Sequence, residues 1–428
     1  MRKKARWTAA AAALALGAAA CSTSTSGPTS AGQGPGGMRV GPGVDRATRT
    51  VTLGALTPIS GPVAVIGTPL TYGQQAYFRD VDARGGIAGW KVRLDVADTR
   101  YDAQTQVQEY DRIAPDVAFV GQSLGSPTTQ AIESLAASAG ILVGTAAQDS
   151  AFVNQRVNAV IGTPYAVDMA NAMHFVAQHR PGARVGFIYQ NDAYGADGLK
   201  GFTAGAAADH LDRVATASYQ PSDTSFTAQV LAMRQAGANV VALTALPTPA
   251  ATMVATAASM GYHPQWVFQL SAWSEYLMSS TGAQGGVATP VAPALAGVWV
   301  LGYLAQWGDP SVPGMARFLA DQRRYFPTQV PDSYFIYGYC LAEMEGDVLA
   351  AAIAAKDLTR PGLLDAKLHL GRVDFGGLMP AADYTPALGP ADRETTVSQV
   401  DPSVPGYLRT IQPYFTSPAA TAMTFARG

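Results

Sequence analysis

The chain has 428 residues, of which 48% are apolar and only 14% charged, and its net charge is −2. That length predicts two or three domains with a sizeable core, and a near-neutral, slightly acidic chain lacks the basic face that a general nucleic-acid binder needs. Two cysteines and five histidines without ligand spacing predict neither a disulfide framework nor a metal site.

The first 21 residues have the organisation of a secretory signal. A basic segment, MRKKAR, precedes a 14-residue apolar run from Trp7 to Ala20, which is shorter than the about 20 residues of a membrane-spanning helix. The run ends in small residues before Cys21 and resembles the start of bacterial lipoproteins, in which cleavage precedes a lipid-bearing cysteine. An ordinary signal peptide with an incidental cysteine is the alternative.

Residues 22–48 are dominated by Ser, Thr, Gly and Pro. Such a stretch buries too little surface to offset its conformational entropy, so we expect a flexible tether. The remaining thiol, Cys340, lies among apolar residues at helical spacing. This pattern predicts a buried core cysteine rather than a nucleophile.

From residue 51 onward, apolar strand patterns alternate with helical patterns of 10–17 residues. The first run predicts strands at 51–59, 90–98, 116–121 and 141–145 and helices at 68–84, 102–113 and 126–140. The second run predicts helices at 166–180, 195–210, 225–237 and 249–261 and strands at 184–191, 239–246 and 265–271. This alternation predicts an α/β protein with two doubly wound parallel-sheet lobes. Beyond residue 290 the pattern weakens: it predicts one long helix at 333–357, then short strands and loops from residue 370.

Small polar loops follow several predicted strands, at 57–67, 121–130 and 144–150 in the first run and at 190–195, 244–249 and 269–275 in the second. Ligands of open parallel sheets bind beyond the carboxyl ends of the strands, where helix N-termini favour anions such as a carboxylate. The hydroxyls of Ser123, Ser126 and Thr128 can add hydrogen bonds to a ligand. Helix capping is the alternative use of the same side chains.

Residues 121–125, Gly-Gln-Ser-Leu-Gly, match the G-x-S-x-G nucleophile elbow between a strand and a helix. That match favours a serine hydrolase with Ser123 as the nucleophile. Only two predicted strands precede it, however, and no histidine stands in a context that argues for catalysis. There is also no phosphate-binding P-loop. We therefore expect neither an enzyme nor a bound cofactor.

Several segments together resemble the branched-chain amino-acid type of ABC-transporter substrate-binding protein. The resemblance is carried by residues 53–104, 117–132, 140–150, 184–199, 223–243 and 333–343, including SGP at 60–62, GGIAG at 85–89 and NDAYG at 191–195. It implies the type I periplasmic-binding fold, whose two lobes are joined by a multi-strand hinge and close on a ligand in the cleft. It also implies delivery of that ligand to the membrane subunits of an ABC permease.

The resemblance implies a set of ligand-contacting positions. Four of them agree with the family: the carboxylate-binding serine is Ser126, its neighbouring wall is Leu124, a backbone-contact alanine is Ala147, and the aromatic residue of the second lobe is Tyr194. The remaining candidates are Ser60 in the first loop and four positions that depart from the family pattern, Ile66, Asp149, Leu246 and Ser271.

Ser271 stands where the family has the acid that pairs with the ligand's ammonium group. A buried ammonium without a partner costs several kcal/mol, so this change bears on the ligand class. Asp149 or Glu275 can replace the acid. Otherwise the expected ligand is an amide, a urea-like compound, an aromatic acid or a small peptide rather than an α-amino acid.

The sequence thus predicts a monomeric, extracytoplasmic solute-binding protein, anchored to the cell membrane by a lipid on Cys21, for an amino acid or related small polar ligand. The predicted divisions are a signal peptide at 1–21, a tether at 22–48, a first lobe at 49–162 and 300–368, and a second lobe at 163–299 and 369–428. Two alternatives stay open, a lipoprotein serine hydrolase that uses Ser123 and a ligand sensor of the same fold.

Overall fold

A computed structural model describes residues 37–384 and 392–425. The predicted signal peptide, its Cys21 and most of the predicted tether lie outside these residues. A search of the described helices finds none that is both long and apolar enough to cross a membrane.

The described residues contain 17 β-strands, which are numbered in chain order. The strands are β1 (Arg39–Val40), β2 (Val44–Asp45), β3 (Thr50–Thr57), β4 (Lys91–Asp98), β5 (Phe119–Leu124), β6 (Val143–Ala146), β7 (Asn158–Val160), β8 (Arg184–Gln190), β9 (Asp212–Tyr219), β10 (Val240–Thr244), β11 (Gln265–Phe268), β12 (Trp299–Gly302), β13 (Asp357–Leu358), β14 (Arg372–Val373), β15 (Ala382–Asp383), β16 (Thr395–Val400) and β17 (Leu408–Phe415).

Helices connect most of these strands. They are α1 (Ala64–Ala83), α2 (Ala103–Ile113), α3 (Ser126–Ala139), α4 (Tyr165–His179), α5 (Ala193–Ala208), α6 (Thr227–Gln235), α7 (Pro247–Ser259), α8 (Ala292–Leu295), α9 (Met315–Tyr325), α10 (Ser333–Ala354), α11 (Arg360–Leu368) and α12 (Pro418–Ala422).

The first sheet has the order β2-β3-β5-β6-β7, with β4 also paired to β3, and all its pairs are parallel except β2 with β3. Helix α10 packs along α1 beside this sheet. The two helices approach closely because glycines stand at the crossing: a Cβ on Gly73 would lie 2.1 Å from the Phe335 carbonyl oxygen, and one on Gly338 would lie 1.9 Å from that of Leu70.

The second sheet has the order β17-β16-β12-β11-β10-β8-β9, parallel from β9 to β12 and antiparallel at β16 and β17. Along β10, Val240 and Ala242 pack with α4 and α5, whereas Val241 and Leu243 pack in the core cluster that includes α6 and α7. This period of two is what a strand with helices on both faces requires. The predicted α/β class with two doubly wound lobes is confirmed.

Three parts of the chain differ from the sequence-based expectation. The predicted tether extends too far, because β1 pairs with β13 and β2 pairs with β3; two-residue strands between glycines leave no periodic pattern. The lobe boundary predicted at residue 300 falls inside β12, which pairs within the second sheet. The edge strand β9 and the amphipathic helix α9 were not predicted.

Buried carboxyl groups are frequent in this core. Glu345 of α10 is fully buried and accepts two hydrogen bonds, of 2.9 and 2.7 Å, from Gln74 Nε2 of α1. Burial raises the pKa of Glu345 well above its usual range. Burial likewise raises the pKa of Asp168 and Glu343 to about 7 and that of Asp392 to about 6.

These raised pKa values predict how stability depends on pH. Between about pH 4 and pH 7 the folded chain retains protons that the unfolded chain releases, so the free energy of unfolding falls as the pH rises through this window. We expect a higher unfolding midpoint at pH 5.5 than at pH 8, measured by thermal or urea denaturation. Asp168→Asn should reduce the difference, and a midpoint that is equal or higher at pH 8 contradicts the prediction.

Candidate functional site

A cleft lies between the two sheets, beyond the carboxyl ends of their central strands. It is lined from the first-sheet side by Ile66, Leu70, Tyr101, Leu124, Gly125, Ser126, Ala146 and Gln148, from the second-sheet side by Tyr165, Asp168, Tyr194, Leu246, Gln269, Leu270 and Ser271, and by Tyr303, Ser333, Tyr334 and Tyr337. Loops and helix N-termini supply most of these positions, as expected for an open parallel sheet.

The start of α3 forms a polar wall of this cleft. Gly125 turns the chain from β5 into the helix with φ of +99°, and it provides no side-chain cap. A Cβ at this position would lie 2.4 Å from the Tyr101 ring and 2.8 Å from Thr128 Oγ1, so the site requires glycine. The first-turn amides of an α-helix lack intrahelical partners, which makes this end attractive to anions.

Ser126 stands on that first turn. Its side chain is 1% exposed, and its Oγ makes no hydrogen bond to any described residue. The hydroxyl nevertheless lies close enough to Asp149 to oppose the rise in the pKa of that carboxyl, which burial and the Asp197 carboxylate cause. A buried hydroxyl without a partner is costly unless a ligand satisfies it. The arrangement fits a ligand carboxylate.

Tyrosine rings form much of the remaining wall. Six tyrosines contribute, Tyr101, Tyr165, Tyr194, Tyr303, Tyr334 and Tyr337. Three of their hydroxyls donate to backbone carbonyls: Tyr194 to Ala245 at 3.1 Å, Tyr334 to Trp273 at 2.6 Å, and Tyr337 to Thr145 at 2.9 Å. Since each hydroxyl has one proton to donate, these three rings offer the cleft their apolar surfaces rather than a free donor.

Tyr101 has an unusual backbone. It has φ of +60° and follows Arg100 at φ of +53°, a left-handed pair that is costly for residues other than glycine. Its ring packs on Gly125, and its hydroxyl accepts a 3.5 Å hydrogen bond from Gln190 Nε2 at the end of β8. Tyr101 therefore connects the first-sheet wall of the cleft to the second sheet.

Asp168, near the start of α4, lines the cleft on the second-sheet side. Its side chain accepts a hydrogen bond of 3.0 Å from Thr395 Oγ1 and one of 3.5 Å from Gln269 Nε2. Burial raises its pKa to about 7. The group is thus a partly neutral acid with two donors already bound.

Six of the nine sequence-predicted candidates lie together in the cleft. They are Ile66, Leu124, Ser126, Tyr194, Leu246 and Ser271. Tyr194 and Ser271 contact each other, with 2.5 Å between their hydroxyl oxygens.

The other three candidates lie elsewhere. Ser60 is exposed, and its Oγ donates to the Asp98 carboxylate at 2.5 Å. Ala147 is buried with Phe152 in a small cluster behind the cleft, although its neighbours in sequence line the wall. Asp149 accepts from the Ala151 amide at 2.9 Å and is not among the lining residues.

Glu275 does not replace the missing acid either. Its Oε1 accepts from the amide and the hydroxyl of Ser333, both at 3.3 Å, and it lines a separate cavity beside β12 and β16. The sequence thus failed to identify Asp168 as the carboxyl of the cleft. It also missed five of the six tyrosines; the two in α10, Tyr334 and Tyr337, look like ordinary core residues because they stand among apolar residues of a helix.

The surroundings of Ser123 indicate a structural role rather than that of a catalytic nucleophile. Ser123 is fully buried, and its Oγ lies 2.7 Å from both Gln106 Nε2 and Thr129 Oγ1. No histidine is among its hydrogen-bond partners in the described chain. The hydroxyl joins β5 to α2 and α3 and serves packing.

The family model described as periplasmic binding protein matches residues 50–404. The chain belongs to this family. Relatives include the Leu/Ile/Val-binding protein BraC3 of Rhizobium johnstonii, 25% identical over 45% of this chain and 53% of that protein. Leu/Ile/Val-binding protein homolog 7 of Brucella abortus is 25% identical over 52% of this chain and 59% of that protein. The alignments span between half and three-fifths of these relatives. Both are named as binding proteins, in agreement with the packing role of Ser123.

Solved structures support the same family. A fatty acid ABC transporter substrate-binding protein from Thermomonospora curvata has a TM-score of 0.85 and 28% identity, covering 92% of this chain and 99% of that one. A branched chain amino acid ABC transporter protein from Thermus thermophilus, with bound valine, has a TM-score of 0.75 and 15% identity, covering 87% and 97%. The second likeness shows the fold alone.

A substitution at Ser123 separates a packing role from a catalytic one. We expect Ser123→Ala to lower the free energy of unfolding by about 1–2 kcal/mol, because Gln106 loses a buried acceptor. A serine-reactive probe should label neither the variant nor the parent chain. The exposed Ser60→Ala is the control and should change stability little. Labelling that disappears in Ser123→Ala contradicts the packing role.

Proposed function

We propose that the chain is an extracytoplasmic solute-binding protein that captures a small ligand bearing a carboxylate and delivers it to an ABC permease. The observation that carries the proposal is the buried Ser126 hydroxyl at the first turn of α3, which lies beside the Asp149 carboxyl without a hydrogen bond of normal geometry and faces a cleft between two sheets. The names of the similar proteins, for Leu/Ile/Val in one group and for a fatty acid in another, denote ligands that share a carboxylate.

The composition of the cleft walls supports binding of a ligand between the two lobes rather than on the outer surface of one of them. Lining residues come from both sheets and from the first turn of α10, so a ligand held between them contacts both lobes. The described chain passes between the two sheets at residues 161–164 and 303–314. Such connections allow a hinge motion that opens and closes the cleft.

Binding is tested with the Ser126 variant. We expect a carboxylate ligand to raise the unfolding temperature of the chain, since it stabilises the folded state alone. In Ser126→Ala, the dissociation constant should rise about ten- to a hundredfold, which corresponds to one charge-assisted hydrogen bond.

Ser60→Ala is the matched control and should bind as the parent does, because that hydroxyl is bonded to Asp98 outside the cleft. The measurement is calorimetric titration of the two variants and the parent. Equal affinities in the parent and Ser126→Ala would remove the carboxylate site from the proposal.

The proposal includes a lipid anchor at Cys21. It is supported by the basic segment, the 14-residue apolar run and the small residues before the cysteine. We expect a fatty-acid analogue fed to bacterial cells that express the full chain to label it, and Cys21→Ala to abolish the label. Cys340→Ala, which removes a fully buried thiol, is the control and should keep it. Label that persists in Cys21→Ala refutes the anchor.

A further inference from the structure

We infer that the cleft selects carboxylic acids with an uncharged, apolar body and discriminates against the α-ammonium group of an amino acid. The inference rests on the proposed function, because it names the ligand class of that same site. It depends on what surrounds the Ser126 hydroxyl.

Side chains that carry a charge near neutral pH are nearly absent from the cleft wall. Among the described lining residues there is no lysine, arginine or histidine, and Asp168 is the single acidic residue. A ligand whose carboxylate sits at Ser126 would carry its α-ammonium one carbon away. A carboxylate or several well-placed acceptors compensate the loss of hydration of that ammonium, whereas the face of an aromatic ring does so more weakly.

Asp168 is poorly suited to this task. Its Oδ1 accepts from Thr395 Oγ1 and its Oδ2 from Gln269 Nε2, so both oxygens are engaged. Gln269 is fixed in turn, since the same Nε2 donates to the Tyr165 carbonyl at 2.9 Å and its Oε1 accepts from Thr244 Oγ1 at 2.7 Å. Each carboxylate oxygen can accept a second hydrogen bond, but burial raises the pKa of Asp168 to about 7, and its neutral form attracts an ammonium only weakly.

The neighbouring acids are also engaged, and none of them lines the cleft. Asp192 caps α5 by accepting from the Gly195 amide at 3.1 Å and also accepts from Gln190 Nε2. Asp197 accepts from the amides of Ser150 and Ala166, at 3.0 and 3.1 Å. Asp149 accepts from the Ala151 amide through Oδ1 alone and lies beside Ser126, but it is not among the residues that line the cleft.

Ser271 occupies the cleft wall on the second-sheet side, and its neutral hydroxyl lies 2.5 Å from that of Tyr194. Around it, tyrosine rings and the aliphatic side chains of Ile66, Leu70, Leu124, Leu246 and Leu270 line the space. Such a wall gains free energy from burying CH and ring surfaces. A ligand fits this cleft if its carboxylate binds at Ser126 and the rest of the molecule is uncharged and apolar.

The test compares ligands that differ only in the ammonium group. Leucine is paired with 4-methylpentanoate, and phenylalanine with 3-phenylpropanoate, in calorimetric titrations of the full chain. We expect the acid without the ammonium to bind at least about tenfold more tightly in each pair. Equal affinity, or tighter binding of the amino acids, overturns the inference and leaves the proposed function intact if that binding needs Ser126. Absence of binding by all four overturns both.

A second experiment tests whether an added carboxylate in the cleft restores binding of the ammonium group. Ser271→Asp places a carboxylate on the wall, and we expect it to shift the affinity ratio at least about tenfold toward the amino acid of each pair. Ser271→Asn, of similar size and without charge, is the matched control and should keep the parent ratio. An unchanged ratio in Ser271→Asp, at an unfolding midpoint equal to that of Ser271→Asn, contradicts the inference.

Discussion

The turn at Gly125 is the constraint on which the site depends. Only a glycine fits there, because φ is +99° and the Tyr101 ring occupies the space of a side chain. This turn places Ser126 and its hydroxyl in the wall of the cleft. With another backbone conformation at Gly125, α3 would leave β5 at a different angle, and Ser126 would no longer line the cleft.

Direct contacts between the two halves of the molecule fix the opposite wall. The Asp197 carboxylate of α5 accepts from the Ser150 amide after β6 and from the Ala166 amide in α4. The first turn of α10 serves both sides, since Tyr337 bonds to the Thr145 carbonyl of the first sheet and Tyr334 to the Trp273 carbonyl beyond β11. Hydrogen bonds therefore connect the two halves of the molecule next to the ligand site.

The sequence predicts most of the parallel strands, because buried strands such as β10 are continuous apolar runs and their helices are amphipathic. It fails at β9, whose residues are mostly half-exposed or exposed, and at β1 and β2, which are two-residue strands. In the site, Ser126 could be found from its place after a strand. Asp168 and the tyrosines of α10 could not, since their orientation toward the cleft depends on how the two sheets meet.

The tyrosine wall also bears on how the protein can be observed. Six phenol rings converge on one small space, and Tyr165 and Tyr194 lie edge to face with 4.6 Å between their centroids. Phenol absorption in the near ultraviolet responds to the polarity and asymmetry of its surroundings. A molecule that enters this space replaces water against several rings at once, so the chain carries an optical reporter of occupancy within its own binding site.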